Sequence, residues 1–92
     1  MRIDAVAFST KGCETAKRLK DALPEDDVRI YCKTKSDNAG VERIEGSVGE
    51  WTGRAFEECE AIVFIGAVGI AVRYIAPYIR NKRVDPAVVC MD

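Results

Sequence analysis

The stretch from Glu60 to Ile79 constrains this chain more than any other. It opens with Ala61-Ile-Val-Phe-Ile65, an apolar run too short for a helix and rich in β-branched residues. A strand buried on both faces reads this way. Gly66 and Gly69 then bracket a tight turn, where a positive φ is cheap and no Cβ blocks a ligand. A second apolar run, Ile70 to Ile79, is interrupted by Arg73 and predicts a helix that bends or ends near Pro77. Proline there cannot donate to the carbonyl of Arg73. Strand, glycine turn and helix together form a unit that can present backbone N–H groups to an anion.

The rest of the chain repeats that alternation. Residues 2 to 8 predict a first strand, and Ser9-Thr10-Lys11-Gly12 a turn. Gly12 to Leu23 predicts a helix with Ala16, Leu19 and Leu23 on one face and charged residues on the other. Val28 to Lys33 is the second strand, and Thr34 to Gly46 reads as one long loop that Val41 and Ile44 pin to the body. Ser47 stands three residues before Glu50, the capping-box spacing, ahead of a helix carrying Val48, Trp51 and Phe56 and finishing near Glu58. The third strand is Ala61–Ile65, and Val84 to Met91 is the fourth.

This β-α-β-α-β-α-β pattern predicts a three-layer, doubly wound α/β fold, a parallel sheet with helices on both faces. The expected strand order is 2-1-3-4, half of a flavodoxin- or Rossmann-like sheet. Its switch point lies between strands 1 and 3, so Ser9–Cys13 and Gly66–Gly69 would flank one crevice. The sequence reads as truncated after strand 4, which leaves part of one sheet face uncovered and favours self-association.

Ninety-two residues suit a single domain, 1–92. A net charge of −1 gives no electrostatic case for nucleic acid or an anionic membrane. No apolar run approaches a membrane span, and the N-terminus looks like a strand, so a cytoplasmic location is expected. The four cysteines, at 13, 32, 59 and 90, form no C-x-x-C pair, and histidine is absent. A zinc or iron–sulfur site on these thiols would need an unusual arrangement. Cys32 and Cys90 fall in strand-like runs and read as small core residues.

Candidate binding residues follow from the two turns. Ser9, Thr10 and Lys11 end a strand and open a helix, a place for phosphate or carboxylate, although a plain turn fits the same residues. There is no G-x-x-x-x-G-K-[ST] loop and no G-x-G-x-x-G. Gly66, Ala67 and Gly69 would offer backbone to a ligand, the alternative being close helix–strand packing. Arg73 would lean toward the helix N-terminus and over the crevice. Asp92, ending strand 4, is a weak catalytic candidate at the same sheet edge. Lys82 and Asp85 read as turn-forming surface residues.

The residues Phe64-Ile-Gly-Ala-Val-Gly-Ile-Ala-Val-Arg73, Ile75-Ala-Pro77, Lys82 and Asp85-Pro-Ala-Val-Val89 closing on Asp92 form a specific signature. It resembles the N-terminal domain of the CbiG (cobalt-precorrin-5A hydrolase) family of cobalamin biosynthesis, closely over about 30 residues and more loosely in strand 1 and helix 1. The resemblance implies the anaerobic route to vitamin B12. It implies opening of the ring-A δ-lactone of cobalt-precorrin-5A, release of a two-carbon fragment as acetaldehyde, and a product, cobalt-precorrin-5B. Cobalt would arrive with the tetrapyrrole substrate, so no protein cofactor is implied. The acetate and propionate groups of such a macrocycle suit helix N-termini, Lys11 and Arg73. Backbone N–H groups near Gly66–Gly69 suit a polarised lactone carbonyl.

In the family the strand ending at Asp92 runs on into a glycine-rich segment with S-G-H and G-G-A-N. This sequence lacks that segment and its histidine, and carries Cys90-Met91 in place of a valine run. The expectation is a chain incomplete as a hydrolase by itself, with remaining domains supplied in trans or a homo-oligomer. The competing expectation is a non-catalytic domain that binds a tetrapyrrole or another anion or docks a partner. A flavodoxin-like site holding phosphate at Ser9–Cys13 is a third.

Overall fold

The computed structural model of the chain describes residues 1–33, 41–81 and 83–91. In order, its elements are β1 (Arg2–Ala7), α1 (Thr10–Ala22), β2 (Asp27–Cys32), β3 (Glu42–Arg43), α2 (Val48–Glu58), β4 (Ala61–Ile65), α3 (Val68–Ile75), a 3₁₀ turn (Ala76–Tyr78) and β5 (Ala87–Met91). All strand pairs are parallel, and the sheet order is β3-β2-β1-β4-β5. The α/β class is as expected.

Strand order differs from expectation in detail. The four expected strands keep their relative order, but a fifth, β3, lies beyond β2 at the edge. Two residues cannot display a period, so Glu42–Arg43 was indistinguishable from loop. Around it the segment is fastened: the Ile44 N–H donates to the Cys32 carbonyl at 2.9 Å, and the Lys33 ammonium donates to the Gly46 carbonyl at 2.7 Å. Ile44 is buried and Val41 packs on the core, as the sequence suggested. Residues 34–40 of the expected loop lie outside the described residues.

Two apolar layers sandwich the sheet. On one face, Cys13 and Ala16 of α1 pack on Ile3, Ala5, Val28, Ile30, Val63 and Ile65. On the other, Val48, Trp51 and Ala55 of α2 and Ala71 of α3 pack on Val6, Ile62 and Phe64. Trp51 stands edge-on to both Tyr31 and Phe64, with ring centroids 5.4 and 6.2 Å apart. Such pairs add to area burial, which for one aromatic side chain is worth about 2–3 kcal/mol.

Boundaries moved for local reasons. Helix α1 begins at Thr10, two residues early, because Ser9 caps it: its hydroxyl accepts the Gly12 N–H at 3.0 Å. Ser47 does the same for α2, accepting from Glu50 at the expected capping spacing. Pro77 falls in the 3₁₀ turn that ends α3. β5 starts at Ala87, because Val84 and Asp85 are held in a turn by the Asn81 carbonyl and the Asp85 carboxylate accepts the Arg80 N–H at 2.7 Å. Cys90, expected in the core, is exposed: its strand is a sheet edge, and apolar sequence alone cannot tell an edge from a centre. Cys32 is buried as expected.

Candidate functional site

Neighbouring strands β1 and β4 send their helices in opposite directions. The chain leaves β1 into α1 on one face and leaves β4 into α3 on the other. Their C-terminal ends therefore part around a crevice, the switch-point position that the sequence predicts. It is a cavity of about 220 Å³ lined by Ser9, Lys11, Gly12, Thr15, Ile65 and Gly66.

Each wall has a local cause. At Gly12, a Cβ would lie 3.2 Å from the Ala7 Cβ and 3.4 Å from Ile65 Cγ2, so the absent side chain lets α1 sit directly on the two strands. Gly66 turns the chain out of β4 with φ near +155°, a conformation L side chains rarely adopt. Its N–H donates to the Met91 carbonyl at 2.8 Å, so that donor is committed to the sheet and not to a ligand. Ser9 spends its hydroxyl and carbonyl on α1, accepting from Gly12 and from the Cys13 N–H. Thr15 donates to the Lys11 carbonyl at 3.3 Å.

Ser9, Lys11 and Gly66 thus come together, while Thr10, Ala67, Gly69 and Arg73 stand outside the lining. Thr10, Ala67 and Gly69 are exposed close by, on the first turns of α1 and α3. Gly69 settles one alternative. A Cβ there meets nothing within 4 Å, so close packing does not explain this glycine. Its helix also differs from the other two: α1 and α2 carry side-chain caps, whereas α3 begins at Ala67 with none. The first amides of α3 therefore point to solvent without a side-chain acceptor. Arg73 is exposed in the last turn of α3, six residues past Ala67, or roughly 9 Å along the axis at the helical rise. Asp92 and Lys82 lie outside the described residues. Gly12 lies within the Ser9–Cys13 span expected to flank the crevice, whereas sequence reading missed Thr15 and Ile65 as walls; Thr15 was detectable as the residue one helical turn beyond Lys11.

Among the described residues the lining holds one ammonium and no carboxylate, so it favours an anion. A larger hollow of about 530 Å³ lies at the far edge, beside β3 and Trp51, but its walls mix Glu42 and Glu45 with Arg43 and Arg54. No cysteine is among the described residues of the lining. Burial, and then the neighbouring Cys32, push the Cys13 thiol up. Burial and a hydrogen bond to Asp4 push the Cys59 thiol up to about 12. Both remain thiols at neutral pH and are not nucleophiles. Among the described residues, no group of three or more cysteine, aspartate or glutamate side chains is placed to hold a metal ion, and no helix is long and apolar enough to cross a membrane.

Residues 50–92 match the family model described as "Cobalamin synthesis G N-terminal". That span contains β4, the glycine turn, α3 and β5. The cobalt-precorrin-5A hydrolase of Salmonella typhimurium is 38% identical over 81 residues, covering 88% of this chain and 22% of that protein. The cobalt-precorrin-5A hydrolase of Priestia megaterium is 32% identical over 90 residues, covering 95% of this chain and 24% of that protein. No solved structure matches significantly. The chain spans less than a quarter of the length of these relatives. By the family model over residues 50–92 together with two relatives that align along 88% and 95% of it, the chain belongs to the cobalamin synthesis G N-terminal family.

Proposed function

We propose that this chain serves cobalamin biosynthesis by holding cobalt-precorrin-5A for hydrolysis, with its crevice receiving peripheral carboxylates of the macrocycle. The observation that carries this reading is Gly69: an exposed helical glycine that neither backbone conformation nor packing requires, at the uncapped start of α3. A flat ligand edge can approach the backbone there because no side chain intervenes. Lys11, across the crevice, supplies a point charge for a carboxylate. Two relatives named for hydrolysis of this compound support the choice of ligand.

In this reading the reaction opens the ring-A δ-lactone with water and releases acetaldehyde, and the metal travels with the substrate. No cofactor of the protein's own is part of the proposal. The chain's own contribution is to bind and orient. The Cys13 and Cys59 thiols are held protonated, among the described residues the crevice lining carries no carboxylate to move a proton, and the sequence holds no histidine. Acid–base groups would come from further parts of the whole enzyme, in cis or in trans. That same lining favours, as a second reading, a domain that binds a tetrapyrrole without turnover. Four free thiols suit a reducing compartment, and we place the protein in the cytoplasm.

Anaerobic incubation with cobalt-precorrin-5A, assaying acetaldehyde and retained pigment together, tests these readings. Pigment retained without acetaldehyde is the expected result. Acetaldehyde above background would show that the crevice performs the chemistry alone. The absence of both retained pigment and acetaldehyde would overturn the proposal.

A further inference from the structure

The size of the crevice between β1 and β4 limits what can enter it. A drug-sized ligand takes a cavity of about 300–1,000 Å³, and this one measures about 220 Å³. At the roughly 30 Å³ each water occupies in the liquid, that is room for about seven waters. A tetrapyrrole macrocycle does not fit such a space, whereas one short substituent on its periphery does. Gly12 and Ile65 are buried at the floor, and Ser9 and Lys11 are exposed at the rim.

The donors of the lining narrow the ligand further. The Gly12 N–H is given to Ser9 Oγ, and the Gly66 N–H to the Met91 carbonyl. The Thr15 hydroxyl donates to the Lys11 carbonyl. Two side chains of the lining can still donate. Ser9 Oγ accepts from Gly12, which leaves its own O–H hydrogen to give. Lys11 brings an ammonium, the one cation of the lining among the described residues. Two such donors and one positive charge match the two oxygens and one negative charge of a single carboxylate. A second carboxylate in the same hollow would face the first at close range with no cation of its own, and like charges that close oppose each other.

We propose that the crevice is a socket for one short carboxylate arm, clamped between the Ser9 hydroxyl and the Lys11 ammonium, while the body of the ligand stays outside. This rests on the tetrapyrrole reading above and deepens it: of the acids around the ring, one enters the crevice and the others do not. The ring itself then lies over the rim, on the side of the exposed residues.

Propionate is the probe that tests the socket. Amide NMR spectra of the full chain are recorded with sodium propionate against sodium chloride at equal ionic strength. Anaerobic dialysis of cobalt-precorrin-5A is run at the same propionate concentrations. The Gly12 and Gly66 amide signals should shift saturably, with half-saturation on the order of millimolar, and retained pigment should fall as propionate rises. Succinate, with two carboxylates, should bind no more tightly than propionate. Ser9→Asp keeps a helix cap, since aspartate caps as well as serine, but sets a carboxylate where the ligand's belongs. It should abolish the propionate shifts at an unchanged melting temperature. Amide signals that ignore propionate would overturn the proposal, whether or not pigment is retained. Pigment that is retained but not displaced by propionate would overturn it as well, and would leave the tetrapyrrole reading standing at another surface. Binding of succinate about tenfold tighter than propionate would put two carboxylates in the hollow and contradict the single arm. Saturable propionate shifts without pigment retention would uphold the socket and overturn the tetrapyrrole reading. The readouts on the unsubstituted chain stand even if Ser9→Asp does not fold.

Discussion

Gly12 of α1 and Ile65 of β4 meet without a side chain between them: a Cβ on the glycine would lie 3.4 Å from Ile65 Cγ2, with the Ala7 Cβ and Ser9 Oγ both at 3.2 Å. The floor of the crevice is thereby made by backbone and one isoleucine. Helix α1 also has to seat here for the Ser9 cap to close.

Gly12→Ala should lower stability by about 1 kcal/mol, since the tight contacts outweigh the helix propensity gained. Its neighbours are a strand methyl and the capping hydroxyl, and moving the latter weakens the cap. Urea denaturation of the two proteins checks this, and an increase in stability would show that α1 has room to spare.

Gly69→Ala should do the opposite. Nothing stands within 4 Å of the added methyl, and alanine is favoured over glycine in a helix by about 0.8–1 kcal/mol. The melting temperature should stay level or rise, while retention of cobalt-precorrin-5A falls. Unchanged retention would remove the reason given for this glycine.

Arg73 separates reach from charge. Its place in the last turn of α3 puts it beyond the crevice lining, and it is exposed. Arg73→Ala should leave the melting temperature unchanged and reduce pigment retention less than Lys11→Ala does. A larger loss at Arg73 would move the binding site along α3.

The Cys59 thiol provides a pH test. In the folded chain it is pushed up to about 12, burial first and the hydrogen bond to Asp4 second. An unfolded thiol ionises near 8.5. Above that pH the unfolded chain loses a proton that the folded chain keeps, so stability falls as pH rises toward 12, at most about 1.4 kcal/mol per pH unit. Cys59→Ala should flatten that decline in denaturant titrations at successive pH values, leaving the part due to other groups. A variant that declines as steeply as the parent would contradict the assignment.

Much of the architecture was legible because its signals are redundant. Ala61–Ile65 is apolar throughout, as a central strand must be, and its turn carries a glycine whose φ demands one. Ser47 and Glu50 announced α2 through spacing alone. β3 was not legible, because a two-residue strand is defined by its neighbour and not by its own pattern. The exposure of Cys90 was hidden for a related reason: whether an apolar strand is covered depends on what lies beside it. That Ser9, Lys11 and Gly66 line one crevice follows from chain order, since β1 and β4 end side by side. Arg73 was placed too near, because the lean of helical side chains toward the N-terminus spans one turn and not two. Tyr78, whose hydroxyl donates to the Gly49 carbonyl at 2.8 Å and whose ring occupies the space above Gly53, ties the 3₁₀ turn after α3 to α2 by a contact no local pattern announces.

The central claim is that the β1–β4 crevice binds an anionic tetrapyrrole through Lys11. Anaerobic equilibrium dialysis of cobalt-precorrin-5A against the chain and against Lys11→Glu, with melting curves for both, tests it most directly. The account predicts saturable retention by the unsubstituted chain, and a loss of about tenfold or more in affinity for the variant, the size of one charge-assisted hydrogen bond, at an unchanged melting temperature. Equal retention by both proteins would contradict it.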